Sequence, residues 1–167
     1  MCYFLKTIIF ISTLFLIPVP SSASTLWQDT NVGMSPSDVV KLYPDCRSTV
    51  RDGNDLLVKG ERITIFKSKF LVVFEFKKSK LFRVGLLSTD MLNKEELQNP
   101  LLVYLQVTGE LVKRYGQPIK VDRSSVLESE SKFFTSNGIS VRLNYSKITS
   151  SSISIDYISS IGGENAL

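Results

Sequence analysis

Alternation of apolar and polar residues predicts a first group of β-strands in the N-terminal half of the chain. Residues 56–59, 62–67, 70–77 and 80–88 favour strands, and the short polar links at 67–69 and 78–79 favour antiparallel hairpins. The pattern predicts that one face of these strands points into a core, made of Phe70, Val72, Phe74, Phe76, Phe82, Val84 and Leu86.

A second group of strands is predicted in the C-terminal half. Residues 119–123, 132–135, 139–146 and 153–157 fit strands, and Asn137-Gly138 is a strong hairpin signal. The inward face is predicted to carry Ile139, Val141, Leu143, Tyr145, Ile153, Ile155 and Tyr157. The polar chain from Ser159 onward is expected to fray, with residues 161–167 as a tail.

Helical spacing precedes each group of strands. Ser35 and Asp38 have the spacing of a capping box, and Pro36 suits the first position of a helix of about two turns that Pro44 ends. The loop-forming residues at 51–55 then separate this helix from the first strands.

A longer helix is predicted from Pro100 to Tyr115. Gly116 is well placed as its C-cap, and Pro118 prevents its continuation. Its apolar stripe is predicted to consist of Leu101, Leu102, Leu105, Leu111, Val112 and Tyr115.

Residues 1–23 have the pattern of a secretory signal peptide. Lys6 is followed by an uncharged, largely apolar run of eleven residues at 7–17, and Ser21-Ser22-Ala23 supplies small residues for a cleavage site. The apolar run is about half of the ~20 residues that a membrane-spanning helix needs, so cleavage is favoured over anchoring. We expect cleavage after Ala23, a periplasmic or secreted mature chain of residues 24–167, and no membrane span in it.

The order helix, then three or four strands, occurs twice, with the join near Thr89. We therefore expect an α+β fold in which an antiparallel sheet is backed by two main helices. A tandem repeat is the preferred interpretation, with residues 24–88 as the first unit and 89–160 as the second. The alternative is one α+β domain whose halves look alike because antiparallel sheets use similar residues.

This layout resembles a group of small exported bacterial proteins that includes the β-lactamase inhibitory protein fold and the small outer-membrane assembly lipoproteins. The resemblance is carried by residues 33–40 (GMSPSDVV) and by 111–118 (LVKRYGQP) with the hairpin that follows. It implies a helix-plus-antiparallel-sheet unit that binds other proteins. The chain departs from these relatives because it lacks a lipidated cysteine after the apolar run and the cysteine pairs of the two-domain inhibitors.

The composition excludes several kinds of catalytic site. The chain has no histidine, which removes histidine-dependent nucleophiles and histidine-ligated metals. Only Cys46 remains after cleavage, so no internal disulfide can form, and it is either a buried apolar residue or a reactive thiol. Glu95, Glu96, Glu128 and Glu130 do not form a recognisable catalytic pair. We expect no catalytic residues, no metal and no cofactor.

The charge balance is mildly basic. Twenty Lys and Arg face sixteen Asp and Glu, and loss of Lys6 with the signal peptide lowers the excess from four to three. The densest cluster is Lys67, Lys69, Lys77, Lys78 and Lys80, near two predicted hairpin tips. Lysines at such tips blunt strand edges and aid solubility, although an anionic partner is the alternative. We expect no nucleic acid as a partner.

The outward face of the predicted sheet is the candidate binding surface. Because aromatic residues and arginine are enriched at interface centres, a set of mixed aromatic and charged residues there indicates a site for another exported or envelope protein. The set is Phe66, Val73, Glu75, Arg83, Arg142, Asn144 and Asp156. Alternatively, these residues are simply solvated on the wet side of an antiparallel sheet.

The predicted function is thus that of an exported, non-enzymatic protein-binding module, an inhibitor or an envelope assembly factor. Two alternatives are a small exported enzyme that uses carboxylates or Cys46, and a self-associating structural envelope protein. The sequence leaves the target and the oligomeric state open.

Overall fold

The computed structural model describes residues 24–51, 54–88, 99–125, 129–147 and 152–160. The predicted signal peptide, residues 89–98 after the predicted join, and the tail at 161–167 lie outside the described residues. In chain order the elements are β1 (Thr25–Trp27), β2 (Thr30–Asn31), α1 (Pro36–Leu42), β3 (Arg47–Arg51), β4 (Asn54–Val58), β5 (Ile63–Ile65), β6 (Ser68–Lys77), β7 (Lys80–Ser88), α2 (Pro100–Tyr115), β8 (Lys120–Ser124), β9 (Ser129–Ser136), β10 (Ile139–Ser146) and β11 (Ser152–Ser159).

One antiparallel sheet joins both halves of the chain. Within the described ranges it has nine strands in the order β3-β4-β6-β7-β11-β10-β9-β8, and β5 pairs with the beginning of β6. The last strands of the two halves, β7 and β11, therefore pair with each other at the middle of the sheet. The α+β class and the antiparallel sheet are confirmed, although strands dominate and the two helices cover only one face.

The predicted inward residues form a single buried cluster with both helices. Phe70, Val72 and Phe74 are fully buried on β6, and Val141, Leu143 and Ile155 are at most 2% exposed on β10 and β11. Val39 of α1 and Val103 of α2 belong to the same cluster, so both helices pack on the same side of the sheet. Burial of each large apolar side chain contributes about 1.5–3 kcal/mol, which makes this layer the main source of stability.

The prediction that Phe82 points inward is wrong. Phe76 pairs with Leu81 while Glu75 pairs with Arg83, so the register shifts and one extra residue lies on β7. This β-bulge turns Leu81 into the core, where it is 1% exposed, and leaves Phe82 half-buried. Alternation holds again from Val84 onward.

The first helix is built as its sequence predicts. The Ser35 hydroxyl accepts a hydrogen bond from the Asp38 N–H at 3.2 Å, and the Asp38 carboxylate accepts one from the Ser35 N–H at 3.4 Å. Beyond the helix, Tyr43 stacks on Phe74 with ring centroids 5.3 Å apart. This contact fixes the end of α1 on the first half of the sheet.

The apolar stripe predicted for α2 is wrong in part. Leu111 is buried, and Val112 and Tyr115 pack at the margin of the core, but Leu101, Leu102 and Leu105 are 45%, 47% and 53% exposed. The buried residues of α2 are Val103, Tyr104, Val107 and Leu111. The helix is apolar over more than half its circumference. Packing against the sheet therefore decides which face is buried, and periodicity alone does not identify it.

Several strands are longer than predicted. Within the segment expected to be a loop at 51–55, Arg51 ends β3 and pairs with Asn54 of β4, while residues 52–53 lie outside the described ones. Asp52-Gly53 is itself a hairpin signal, and the sequence interpretation overlooked it. Ser159 does not fray, because it is fully buried and pairs with Ile139.

Candidate functional site

The outward side chains of strands β6, β7, β11, β10 and β9 form what we call the open face, on the side of the sheet away from both helices. Its middle row runs across the strands through Val73, Gly85, Asp156 and Arg142. A Cβ on Gly85 would lie 3.4 Å from Oδ1 of Asp156, so glycine leaves room for the carboxylate between the strands.

Asp156 is the centre of a charged network on the open face. Nε and Nη2 of Arg83 donate to its Oδ1 at 3.2 and 2.7 Å. Nε and Nη2 of Arg142 donate to its Oδ2 at 3.3 and 3.1 Å. Arg83 also donates through Nη1 to Oε2 of Glu75 at 3.0 Å. Both carboxylate oxygens of Asp156 are thus held by arginines from the two flanking strands.

The two arginines cover the carboxylate from solvent. The Asp156 side chain is 2% exposed, whereas Arg83 and Arg142 are 34% and 41% exposed. A carboxylate this deeply buried is tolerated only when it is paired and hydrogen-bonded. Burial by itself would lower the pKa of Arg83, but the charges and hydrogen bonds of Asp156 and Glu75 raise it.

Asn144 extends the network along β10. Its Nδ2 donates to Oγ of Ser154 at 2.9 Å, and its Oδ1 accepts from Oγ of Ser131 at 2.8 Å. The same Nδ2 lies 3.5 Å from Oδ2 of Asp156. Three strands are therefore tied together by side chains as well as by their backbones.

The structure brings together five of the seven predicted site residues: Glu75, Arg83, Arg142, Asn144 and Asp156. Val73 lies half-buried in the same row, opposite Gly85. Phe66 lies apart from them, in the β5–β6 turn, where it has a φ of 47° and is 36% exposed.

The predicted site omits apolar residues of the open face, among them Phe133 and Leu87. Phe133 of β9 pairs with Arg142, is half-buried, and has the Lys120 ammonium 5.2 Å from its ring centroid. Leu87 of β7 pairs with Ser154 and is 38% exposed. The alternation in β9 could have revealed Phe133, because Phe134 is its inward neighbour.

A second charged cluster lies on the helix side of the sheet, near its β8 edge. Glu130 accepts hydrogen bonds from the Tyr104 hydroxyl at 2.7 Å and from Arg123, and its Oε1 lies 3.0 Å from the Lys132 ammonium. That ammonium also lies 4.8 Å from the ring centroid of Tyr104. The cluster ties α2 to β8 and β9.

Opposing effects act on the acid–base groups of this cluster. Burial would raise the pKa of Glu130, but hydrogen bonds from Arg123, Tyr104 and Lys132 outweigh it and lower the pKa to about 2. Burial and the hydrogen bond to Glu130 raise the pKa of Tyr104. Glu130 is therefore ionised, and Tyr104 protonated, over the ordinary pH range, which suits a structural tie and not proton transfer.

A polar groove of ≈ 440 Å³ lies at the end of α2, beside the β9–β10 hairpin. Arg114 and Tyr115 of α2 face Ser136 and Asn137 across it, and Ser24 contributes from the start of the described chain. The Arg114 guanidinium lies 5.5 Å from the ring centroid of Tyr115.

Cys46 and the carboxylates do not assemble a reactive centre in the described structure. Cys46 is free and half-buried, and burial followed by the nearby Asp45 raises the pKa of its thiol. Its thiolate form is therefore scarce near neutral pH. Glu128 lies outside the described residues. Among the residues described, no group of three or more Cys, Asp or Glu side chains could hold a metal ion.

A solved structure resembles this chain, although no family is identified. No protein-family model matches the chain, and no curated protein matches it. The crystal structure of a DUF4309-family protein (YjgB) from Bacillus subtilis matches with a TM-score of 0.47 and 13% identity, covering 84% of this chain and 86% of that one.

Within the described part of the chain, neither helix has the length and apolar character that crossing a membrane requires.

Proposed function

We propose that the protein is an exported, non-enzymatic protein-binding module that contacts another exported or envelope protein through its open face. The observation that carries this proposal is the network in which Arg83 and Arg142 cover the buried carboxylate of Asp156. Around this centre lie Leu87 and Phe133, which give the face apolar contact area.

The geometry favours a binding surface over a merely solvated one. Side chains on the wet face of a sheet usually stand apart in water, where each keeps its rotamer freedom. Here the two arginines are already fixed by paired hydrogen bonds to Asp156. Because these side chains are already ordered, a partner that packs on them loses little conformational entropy. Such preorganisation strengthens binding. Half-exposed arginine beside aromatic and aliphatic groups is typical of interface centres.

The tandem arrangement and the export signal belong to the same proposal. Each half contains a helix followed by a meander of strands, and the last strands of the two halves, β7 and β11, meet at the middle of the sheet. This order supports a duplicated unit of residues 24–88 and 89–160.

Expression of the full chain in a secreting host, followed by N-terminal sequencing, should show a protein that begins at Ser24. An intact start at Met1 would contradict export.

The experiment that tests the binding surface compares two lysine substitutions of equally exposed apolar residues. Leu87 on the open face and Val40 on α1 are each 38% exposed. The mature protein is used to capture partners from an envelope extract, and bound proteins are identified by mass spectrometry. Leu87→Lys should lose the partner that the wild type retains, while Val40→Lys should keep it.

Two results would overturn the proposed surface. If Leu87→Lys and the wild type capture the same partner equally, the open face is not the contact site. If Val40→Lys loses the partner while Leu87→Lys keeps it, the contact lies on the helix side. Circular dichroism of each variant confirms that it is folded before capture.

A further inference from the structure

The β8 strand, Lys120–Ser124, forms one end of the nine-stranded sheet. Among the described residues β9 is the only strand that pairs with β8, so the outer backbone edge of residues 120–123 has no strand beside it there. Such an edge is a template for pairing with another strand. Beside it, Ile119 is 58% exposed and Val121 is 38% exposed, an unusual degree for two β-branched residues so close together.

The side chains of β8 alternate between two distinct faces. Lys120 lies in register with Phe133 on the open-face side, and Asp122 lies two residues farther along on the same side. Val121 lies in register with Lys132 on the helix side. The Lys120 ammonium and the Asp122 carboxylate are 2.9 Å apart, and their side chains are 57% and 52% exposed.

We propose that two copies of the protein pair antiparallel through β8, with a two-fold axis at Val121, so that one sheet continues across both. In this register Lys120 of each copy faces Asp122 of the other, Val121 faces its own equivalent, and Ile119 faces Arg123. Opposite charges directly across an antiparallel pair are stabilising. A two-fold axis makes the interface isologous, and because this axis is perpendicular to the sheet, the open faces of both copies lie on the same side.

Charge selects this register among the nearby ones. A two-fold axis perpendicular to the sheet must pass through a residue position, because directly opposite residues share a face. An axis at Lys120 would place lysine opposite lysine, and an axis at Asp122 would place aspartate opposite aspartate. Only the axis at Val121 pairs unlike charges and joins two apolar side chains.

The other end of the sheet lacks this self-complementarity. The edge strand β3 has the sequence RSTVR and contains no acidic residue. A second copy pairing along it would meet no opposite charge, so we infer that association is directed to β8 and closes as a dimer instead of extending as a filament.

Charge reversal tests the register. Residues 24–167 are studied by sedimentation equilibrium over roughly 10 µM to 1 mM, the range in which a small interface associates. Wild type should shift from monomer toward dimer. Lys120→Asp and Asp122→Lys should each weaken dimerisation at least ~10-fold, because each places like charges opposite one another twice. The double variant Lys120→Asp/Asp122→Lys should restore it to within ~3-fold of wild type.

A cysteine placed on the proposed axis gives an independent measurement. Across an antiparallel pair the two Cα atoms are about 4.5–5.5 Å apart, within the span of a disulfide. In a Cys46→Ala background, Val121→Cys should form a covalent dimer under mild oxidation, while Thr49→Cys on β3 should stay monomeric. A wild type that is monomeric throughout, a double swap that fails to recover, or equal cross-linking of both cysteine variants would overturn the proposal.

Discussion

At the scale of single residues, buried and partly buried charges in this protein connect neighbouring elements. Asp156 joins β7, β11 and β10 through Arg83 and Arg142, and Glu130 joins α2 to β8 and β9. Removing one member of a buried pair leaves an uncompensated charge, which costs more than the intact pair contributes. The loss of stability on replacing a charged residue should therefore depend more on how deeply that residue is buried than on how many ion-pair partners it has.

Replacement of Asp156 by asparagine should destabilise the fold by about 3 kcal/mol, because two arginines would lose their carboxylate while the site stays buried. Urea unfolding followed by circular dichroism measures the loss. Ser140→Ala, on the same face, serves as the control and should stay within about 0.5 kcal/mol of wild type. Equal stability of Asp156→Asn and wild type would show that the network contributes nothing to folding.

Glu130→Gln should lower stability at pH 7 by about 1–2 kcal/mol, the linkage value discounted for partial exposure. The pKa of Glu130 is lowered to about 2 in the folded protein, below its ordinary 4.5. Its contribution is therefore complete above pH 4.5 and is lost as the pH falls toward 2.

Urea unfolding at several pH values should show the stabilities of wild type and Glu130→Gln converging between pH 4.5 and pH 2. As a control, Glu110→Gln, whose side chain is 56% exposed, should change stability at pH 7 by less than about 0.5 kcal/mol. A constant difference between wild type and Glu130→Gln from pH 7 to pH 2 would contradict the assignment.

At the scale of elements, helix α2 shows that burial is decided by the neighbouring sheet. Leu102 is 47% exposed and the adjacent Val103 is 1% exposed. Leu102→Lys should change the free energy of unfolding by less than about 0.5 kcal/mol, whereas Val103→Lys should cost several kcal/mol by burying an unpaired charge. Thermal melts of the two variants provide the measurement. Similar losses in both would mean that Leu102 is covered in solution.

Elements with one apolar face could be predicted from the sequence, and those with two could not. Phe70, Phe74 and Phe76 share one face of β6, and the charged Glu75 and Lys77 lie on the other, so the buried face of β6 was predicted correctly. In α2 the leucines and the pair Val103 and Val107 lie on different sides of the helix, and both sides are apolar. Periodicity alone does not tell which side packs on the sheet. In β7 the bulge displaces Phe82, and a shift of register depends on the partner strand, which local sequence does not contain.

The candidate site was predictable in composition but not in arrangement. Five charged or amide residues of the open face follow from alternation, because outward positions are every second residue. Their pairing does not follow, since Arg83 reaches Asp156 only through the β7–β11 contact between sequence-distant halves, and Arg142 reaches it through the register of β10 on β11. The exposed edge of β8 depends on the same long-range strand order.

At the scale of the whole molecule, the two halves share one sheet and one buried cluster. Trp27 of the first half packs against Tyr43 and Phe74, with its ring 6.1 Å from that of Phe74. Leu143 and Phe134 of the second half belong to the same cluster, and β7 pairs with β11 across the join. Units that share a core and a strand pairing unfold together.

We therefore expect a single cooperative unfolding transition, even though the sequence pattern predicts two similar units. Trp27 is the only tryptophan and lies in the first half, so its fluorescence reports on that half. Amide hydrogen exchange of β10 reports on the second half. In urea the loss of both signals should share one midpoint, because breaking the β7–β11 pairing exposes apolar surface on both sides. Gly85→Val, which crowds the Asp156 carboxylate at that pairing, should lower both midpoints equally. Two separate midpoints would show that the halves are independent units, each stable without the other.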